Sequence, residues 1–163
     1  MTVERIKHVL QAFAIGDAMG MPTQMMTHQR AVEVMIDGGS LCDAPADNEI
    51  CPGMPGGSIT DDTQQLLILV DNLIANGGKF NREEFADALL MWETQMELAG
   101  SKDLLGPSTK AALLELANRA DDSVKVAYPG TTNGAVMRIP AVALAIRALP
   151  AAGAKEMLIR TIE

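Results

Sequence analysis

Nowhere in its 163 residues does the chain alternate apolar and polar positions as a half-buried strand must, whereas apolar residues recur at helical spacing along most of its length. That pattern points to an all-α fold. Val3 to about Ala18 reads as a first helix, with Ile6, Val9, Leu10, Phe13 and Ala14 on one face. A second helix is predicted over Asp61–Asn76. It is closed by Asn76-Gly77-Gly78, because glycine readily takes the left-handed conformation that ends a helix. Asn81 then offers an N-cap with Glu84 three residues on, the spacing of a capping box. It opens a third helix running to about Gly100. Ser108–Ala120 is a fourth, Ala135–Leu149 is largely helical around Pro140, and Ala151–Ile162 begins another. Residues 38–57 (GGSLCDAPADNEICPGMPGG) show no period and are rich in Gly and Pro, the mark of a long loop of the kind that often carries function. With no internal repeat and no linker, residues 1–163 read as a single all-helical domain. The final stretch AAGAKEMLIRTIE carries no capping residue or stop signal, so the chain is expected to be the N-terminal portion of a larger domain.

Composition narrows the function classes. Hydrophobic residues make up 48% of the chain and aromatics only 3%, so the core must be aliphatic, with 11 Met helping to fill it. The net charge is −8, and no Lys/Arg cluster interrupts it, which argues against a nucleic-acid binder. The N-terminus MTVERIKHVL lacks the apolar core of a signal peptide, and the longest apolar run, Ala141–Ile146, falls far short of a membrane span. A cytoplasmic protein without a membrane partner is the expectation. Cys42 and Cys51 offer either one loop-closing disulfide or two thiols, and thiols are the expectation in a cytoplasmic protein. Their spacing and the lack of a nearby His do not suit a zinc site. His8 and His28 are expected on the surface.

Four stretches carry candidate chemistry. GGSITDDTQ (Gly56–Gln64) sets Thr60 and two adjacent carboxylates, Asp61 and Asp62, at a helix start. Thr60 as an N-cap with first-turn acids facing the helix dipole is one reading. The other is a set of oxygen ligands, fanned by about 100° per residue, that suits a hard cation such as Mg²⁺, Mn²⁺ or Ca²⁺. AIGDAMGMPTQ (Ala14–Gln24) ends the first helix and places Asp17 and Gln24 either as structural hydrogen-bonders or at the mouth of a cleft. PGTTNGAVMRIP (Pro129–Pro140) feeds a Gly-Thr-Thr-Asn-Gly loop into a helix. Its N–H groups, hydroxyls and amide suit phosphate or ribose oxygens, although an Asn-Gly turn with a Thr cap has the same composition. In KDLLGPSTKAAL (Lys102–Leu113), Ser108 or Thr109 reads as an N-cap, and Asp103 is the acid close to the loop.

Taken in order, GDAMGMPTQ, GGSITDDTQ, GPSTKAAL and TNGAVMRIPAVAL resemble the ADP-ribosylglycohydrolase family, which includes the dinitrogenase-reductase-activating glycohydrolases. The resemblance covers nearly the whole chain. It implies an all-α orthogonal multi-helix domain around a dinuclear Mg²⁺ or Mn²⁺ centre. It further implies a metal-dependent glycohydrolase that cleaves the glycosidic bond of an ADP-ribosyl or related ribosyl or glycosyl substrate. By that resemblance Thr60, Asp61 and Asp62 are metal ligands, and Asp62 and Asp103 are candidate catalytic carboxylates. Asp17, Gln24 and the loop Gly130, Thr131, Thr132, Asn133 and Gly134 contact substrate. Two departures stand out. Gln24 occupies a position where the family usually carries Glu. The family's late Asp-Thr-Asp-type element, the second half of its metal site, is absent from this sequence, so a further segment or a second chain is expected to complete the site. These departures leave open an alternative, a catalytically impaired member that binds ADP-ribose or a nucleotide, or serves structurally, without turnover.

Overall fold

A computed structural model of the protein describes residues 2–35, 41–102, 105–117 and 133–147. Every regular element among the described residues is helical, as the periodicity requires. The expected helix over Ala151–Ile162 lies outside them. The chain divides into two compact units, one of Thr2–Gln64 with Gln95–Leu104, the other of Gln65–Thr94 with Leu105–Glu163.

The first unit opens with α1 (Val3–Gly20), started by Thr2, whose hydroxyl accepts from the Arg5 N–H at 3.4 Å. The helix runs two residues beyond its expected end and passes into a 3-10 turn, Met21–Thr23. Its expected apolar face is not sealed. Ala18 is the buried residue on α1, while Val9 stays exposed. A short α2 (His28–Val34) follows, which the sequence reading did not assign. Thr27 caps it by accepting from the Arg30 N–H at 3.3 Å. The Arg30 guanidinium reaches Glu33 and both Asp47 oxygens at 3.3 Å. The hydrogen bond to Glu33, and then the charge of Asp47, hold it above its ordinary value. His8 sits exposed, 3.5 Å from Glu4, and His28 is also exposed, so both are surface residues as expected.

Residues 41–57 of the long loop pack around a small core of Met21, Ala44 and Cys51 with Met54 against it. Its two arms are held together by the Ala44 N–H donating to Met54 O at 2.8 Å and the Gly56 N–H donating to the Asp43 carboxylate at 2.7 Å. They approach so closely that a Cβ on Gly56 would overlap the backbone of Leu41 and Cys42. Cys42 and Cys51 are both thiols.

The second unit takes most of α3 (Asp61–Ala75) and α4 (Arg82–Leu98). Leu66, Leu69 and Leu73 on α3 and Phe85, Leu89 and Trp92 on α4 are buried at i, i+3 or i+4 spacing, the stripe expected of core-facing helices. The predicted stop after α3 is a Schellman motif. Gly77 (φ 61°) donates to Ile74 O at 3.2 Å and Gly78 to Leu73 O at 2.7 Å. Asn81 caps α4 by accepting from the Glu84 N–H at 3.2 Å. The return arm of the box is different from the expected one. Glu84 accepts from Asn76 Nδ2 at 2.7 Å, and it is Asn72 that satisfies the Asn81 backbone, N–H to Oδ1 at 3.1 Å and Nδ2 to O at 3.0 Å. Next, α5 (Pro107–Ala117) begins one residue earlier than expected. Proline at its first position supplies a preset φ, so Ser108 and Thr109 lie inside the first turn and are not N-caps. Around Pro140 the helix is not continuous. A 3-10 turn, Val136–Arg138, precedes α6 (Ile139–Ile146), and Pro140 sits at the start of α6, where it displaces no helical hydrogen bond. No helix among the described residues is long and apolar enough to cross a membrane.

Candidate functional site

The start of α3 raises a local problem that its own residues do not solve. The first N–H groups of any helix lack intrahelical acceptors. At Thr60 the expected remedy is its own hydroxyl. Instead, the acceptor is Asp17, on the last turns of α1 and 43 residues earlier in the chain. Asp17 Oδ2 accepts from the Thr60 N–H at 2.9 Å, from the Thr63 N–H at 3.1 Å and from the Thr63 hydroxyl at 2.5 Å. Asp17 Oδ1 accepts from the Thr60 hydroxyl at 2.6 Å. Thr60 and Thr63 are buried, so water is a poor substitute for any of these bonds. A carboxylate at a helix N-terminus also gains from the dipole. Asp17 is therefore a cap supplied by another helix, and it joins two sequence motifs that look independent.

The hydrogen-bond direction matters for what this corner can hold. Thr60 spends its proton on Asp17, which leaves the lone pairs of its oxygen as the remaining valence. Asp61 and Asp62 follow in the first turn, both half-buried, and diverge by about 100° around the axis. Three carboxylates thus crowd one helix start. The macrodipole offsets roughly half a unit charge there. The donors, a hydroxyl and two carboxylates, are all hard oxygens, the chemistry that fits Mg²⁺, Mn²⁺ or Ca²⁺. They make up part of the six or more ligands such ions take. No group of three or more His, Cys, Asp or Glu side chains among the described residues is gathered to hold a metal alone. Asp17 is turned toward the two threonines, which fits the cap and not a ligand.

The structure brings Asp17, Thr60, Asp61 and Asp62 into the same unit and joins Asp17 directly to Thr60. Thr63 belongs with them and was missed as an individual residue, although its place three residues after the cap position in TDDT is the signal that marks it. Gln24, half-buried, also lies in this unit, at the second position of the β-turn Thr23–Met26, closed by the Met26 N–H donating to Thr23 O at 3.1 Å. Asn133 and Gly134 lie in the second unit. There the Met137 N–H donates to Asn133 O at 3.0 Å and Arg138 Nε donates to Gly134 O at 2.7 Å, while the Arg138 guanidinium stands 5.7 Å from the Phe85 ring centroid. Asp103, Gly130, Thr131 and Thr132 lie outside the described residues.

Comparison with known proteins agrees with this motif order. The sequence model of the family described as ADP-ribosylglycohydrolase matches residues 1–162. The uncharacterized protein YegU of Escherichia coli K12 is 33% identical over 142 residues, covering 85% of this chain and 41% of that protein. An uncharacterized protein of Archaeoglobus fulgidus is 25% identical over 141 residues, 86% of this chain and 43% of its own length. The ADP-ribosylarginine hydrolase Tri1 of Pseudomonas putida GB-1 is 32% identical over 91 residues, 55% of this chain and 21% of Tri1. The chain thus spans less than half the length of the relatives it matches.

Proposed function

The chain belongs to the ADP-ribosylglycohydrolase family, and from that membership we propose that it acts in metal-dependent hydrolysis of the glycosidic bond of an ADP-ribosyl or related ribosyl or glycosyl substrate. The observation that carries the reading is the corner at the start of α3. Asp17 fixes the backbone of Thr60 and Thr63 from outside the helix and accepts the hydrogen bond of the Thr60 hydroxyl, which turns the Thr60 oxygen lone pairs outward beside the carboxylates of Asp61 and Asp62 at the helix start. Those three residues would hold a divalent cation. When bound, such an ion supplies positive charge that orients ribose hydroxyls and lowers the pKa of a water.

The chain's own residues supply the remaining roles. Asp62 accepts a proton from the attacking water as general base, and Asp103 is the second candidate for that role. The water oxygen bonds to the anomeric carbon as the C–N or C–O bond breaks. The bond's electron pair leaves with the acceptor, which takes up a proton. The transition state has oxocarbenium character. Tri1, which matches part of this chain, is an ADP-ribosylarginine hydrolase, and an ADP-ribosylated side chain is accordingly the first substrate to test.

Gln24 favours a second reading, a member that binds ADP-ribose without turning it over, because an amide can neither serve as a base nor add charge to a metal site. One experiment separates the two. The intact protein is incubated with ADP-ribosylated arginine and Mg²⁺ or Mn²⁺, and free ADP-ribose is followed. Metal-dependent release that is lost in Asp61→Ala and Asp62→Ala supports the hydrolase. Thermal stabilisation by ADP-ribose with no release supports the binder. Release that survives both substitutions overturns the assignment of these carboxylates.

A further inference from the structure

The turn that carries Gln24 is strained and externally held. Gln24 has φ −54° and ψ 131°, and Met25 has φ 61°, the angles of a type II turn. Its third position favours glycine, because a side chain in the left-handed region crowds its own backbone. Here that position holds Met25, which is 79% exposed and gains little from packing. The turn must be kept in place by something other than its own sequence.

The segment 48–51 of the long loop supplies the hold. Asn48, 3% exposed, donates from Nδ2 to Pro22 O at 3.2 Å and to Gln24 O at 3.4 Å. Its Oδ1 accepts from the Ile50 N–H at 2.8 Å and the Cys51 N–H at 2.9 Å. The Cys51 thiol donates to Met21 O at 3.1 Å. Three carbonyls of the turn region, those of Met21, Pro22 and Gln24, are thus met by two neighbouring side chains of the loop. All four hydrogen-bonding valences of the Asn48 amide are engaged. An amide is the side chain that can do this, since it must donate twice on one side and accept twice on the other.

We propose that Asn48 is a positioning residue for Gln24. It clamps the Pro22–Gln24 backbone onto the loop and so fixes where the Gln24 side chain meets substrate. The functional half rests on the reading above in which Gln24 lines the substrate cleft. Asn48→Asp tests the donors selectively. A carboxylate keeps the two acceptor roles toward Ile50 and Cys51 but cannot donate to Pro22 and Gln24. Asn48→Ser is the second variant, in which a short hydroxyl loses the reach to the turn without adding charge.

The experiment uses the intact protein, with ADP-ribose as the probe. Amide hydrogen exchange reads the clamp, and ADP-ribose titration of Asn48→Asp, Gln24→Ala and the double variant reads its consequence. The expected result is at least tenfold faster exchange at Gln24 and Met26 in Asn48→Asp, with Ile50 and Cys51 still protected. ADP-ribose affinity falls several-fold, and the double variant is no weaker than Gln24→Ala alone. A merely structural role would instead add its effect to that of Gln24→Ala. Such additivity, or unchanged exchange at Gln24 and Met26 in both Asn48 variants, overturns the proposal. If exchange accelerates but Gln24→Ala binds ADP-ribose as tightly as the parent, the cleft role of Gln24 is refuted, and the functional half of the proposal is refuted with it.

Discussion

Replacing Asp17 measures how much of the α3 start depends on a side chain from α1. In Asp17→Ala four hydrogen bonds disappear, and their donors, two backbone N–H groups and two hydroxyls, belong to threonines that are 5% and 3% exposed. A buried donor left without its acceptor costs about 1–3 kcal/mol, and loss of an N-cap alone costs about 1 kcal/mol. Hydroxyls can reorient and some water will enter, so the sum is below four full penalties. The expected loss is about 3–5 kcal/mol. Asp17→Asn is the informative partner. Its amide oxygen can replace Oδ2, the atom that accepts three of the four bonds. Its NH₂ can donate to the Thr60 oxygen, reversing the fourth. Only the charge assistance goes, about 1–2 kcal/mol. Urea unfolding of the intact protein reads both values. If Asp17→Ala unfolds within about 0.5 kcal/mol of the parent, or if Asn is as damaging as Ala, Asp17 does not cap α3.

Other substitutions report on neighbouring features. Asn72→Ala removes both hydrogen bonds to the Asn81 backbone from a 7% exposed side chain, and should lower unfolding free energy by about 2–3 kcal/mol in the same assay. Met25→Gly relieves a positive φ at an exposed site. It should stabilise or be neutral within about 1 kcal/mol, while Met25→Val should destabilise. Gly56→Ala places a methyl into the backbone of Leu41 and Cys42. It should release the loop arms, seen as rapid hydrogen exchange at Ala44 and Gly56 with α4 protection unchanged.

What the sequence made legible is local. The Asn76-Gly77-Gly78 stop and the Asn81 cap depend on residues within a turn of the helix end, and both appear in the structure. The start of α5 was misplaced because Ser and Thr signal a cap, whereas Pro107 signals the first helical position, and the two signals lie side by side. The short α2 has no buried residue and hence no apolar stripe to betray it. The capping of α3 by Asp17 could not be read from spacing, since the partners are 43 residues apart. The clamp by Asn48 falls in a stretch with no period at all. In each case the missing information is tertiary: in sequence the motifs GDAMG and TDDT are related only through family resemblance, and it is the fold that joins them through Asp17.

In the proposed function, the oxygen donors at the start of α3 hold a hard divalent cation. The most direct test is Mn²⁺ titration of the intact protein followed by electron paramagnetic resonance, comparing the parent with Asp61→Ala and Asp62→Ala. A site built from these donors predicts saturable Mn²⁺ binding in the parent and at least tenfold weaker binding in each variant. Binding curves that superimpose for all three proteins would contradict it.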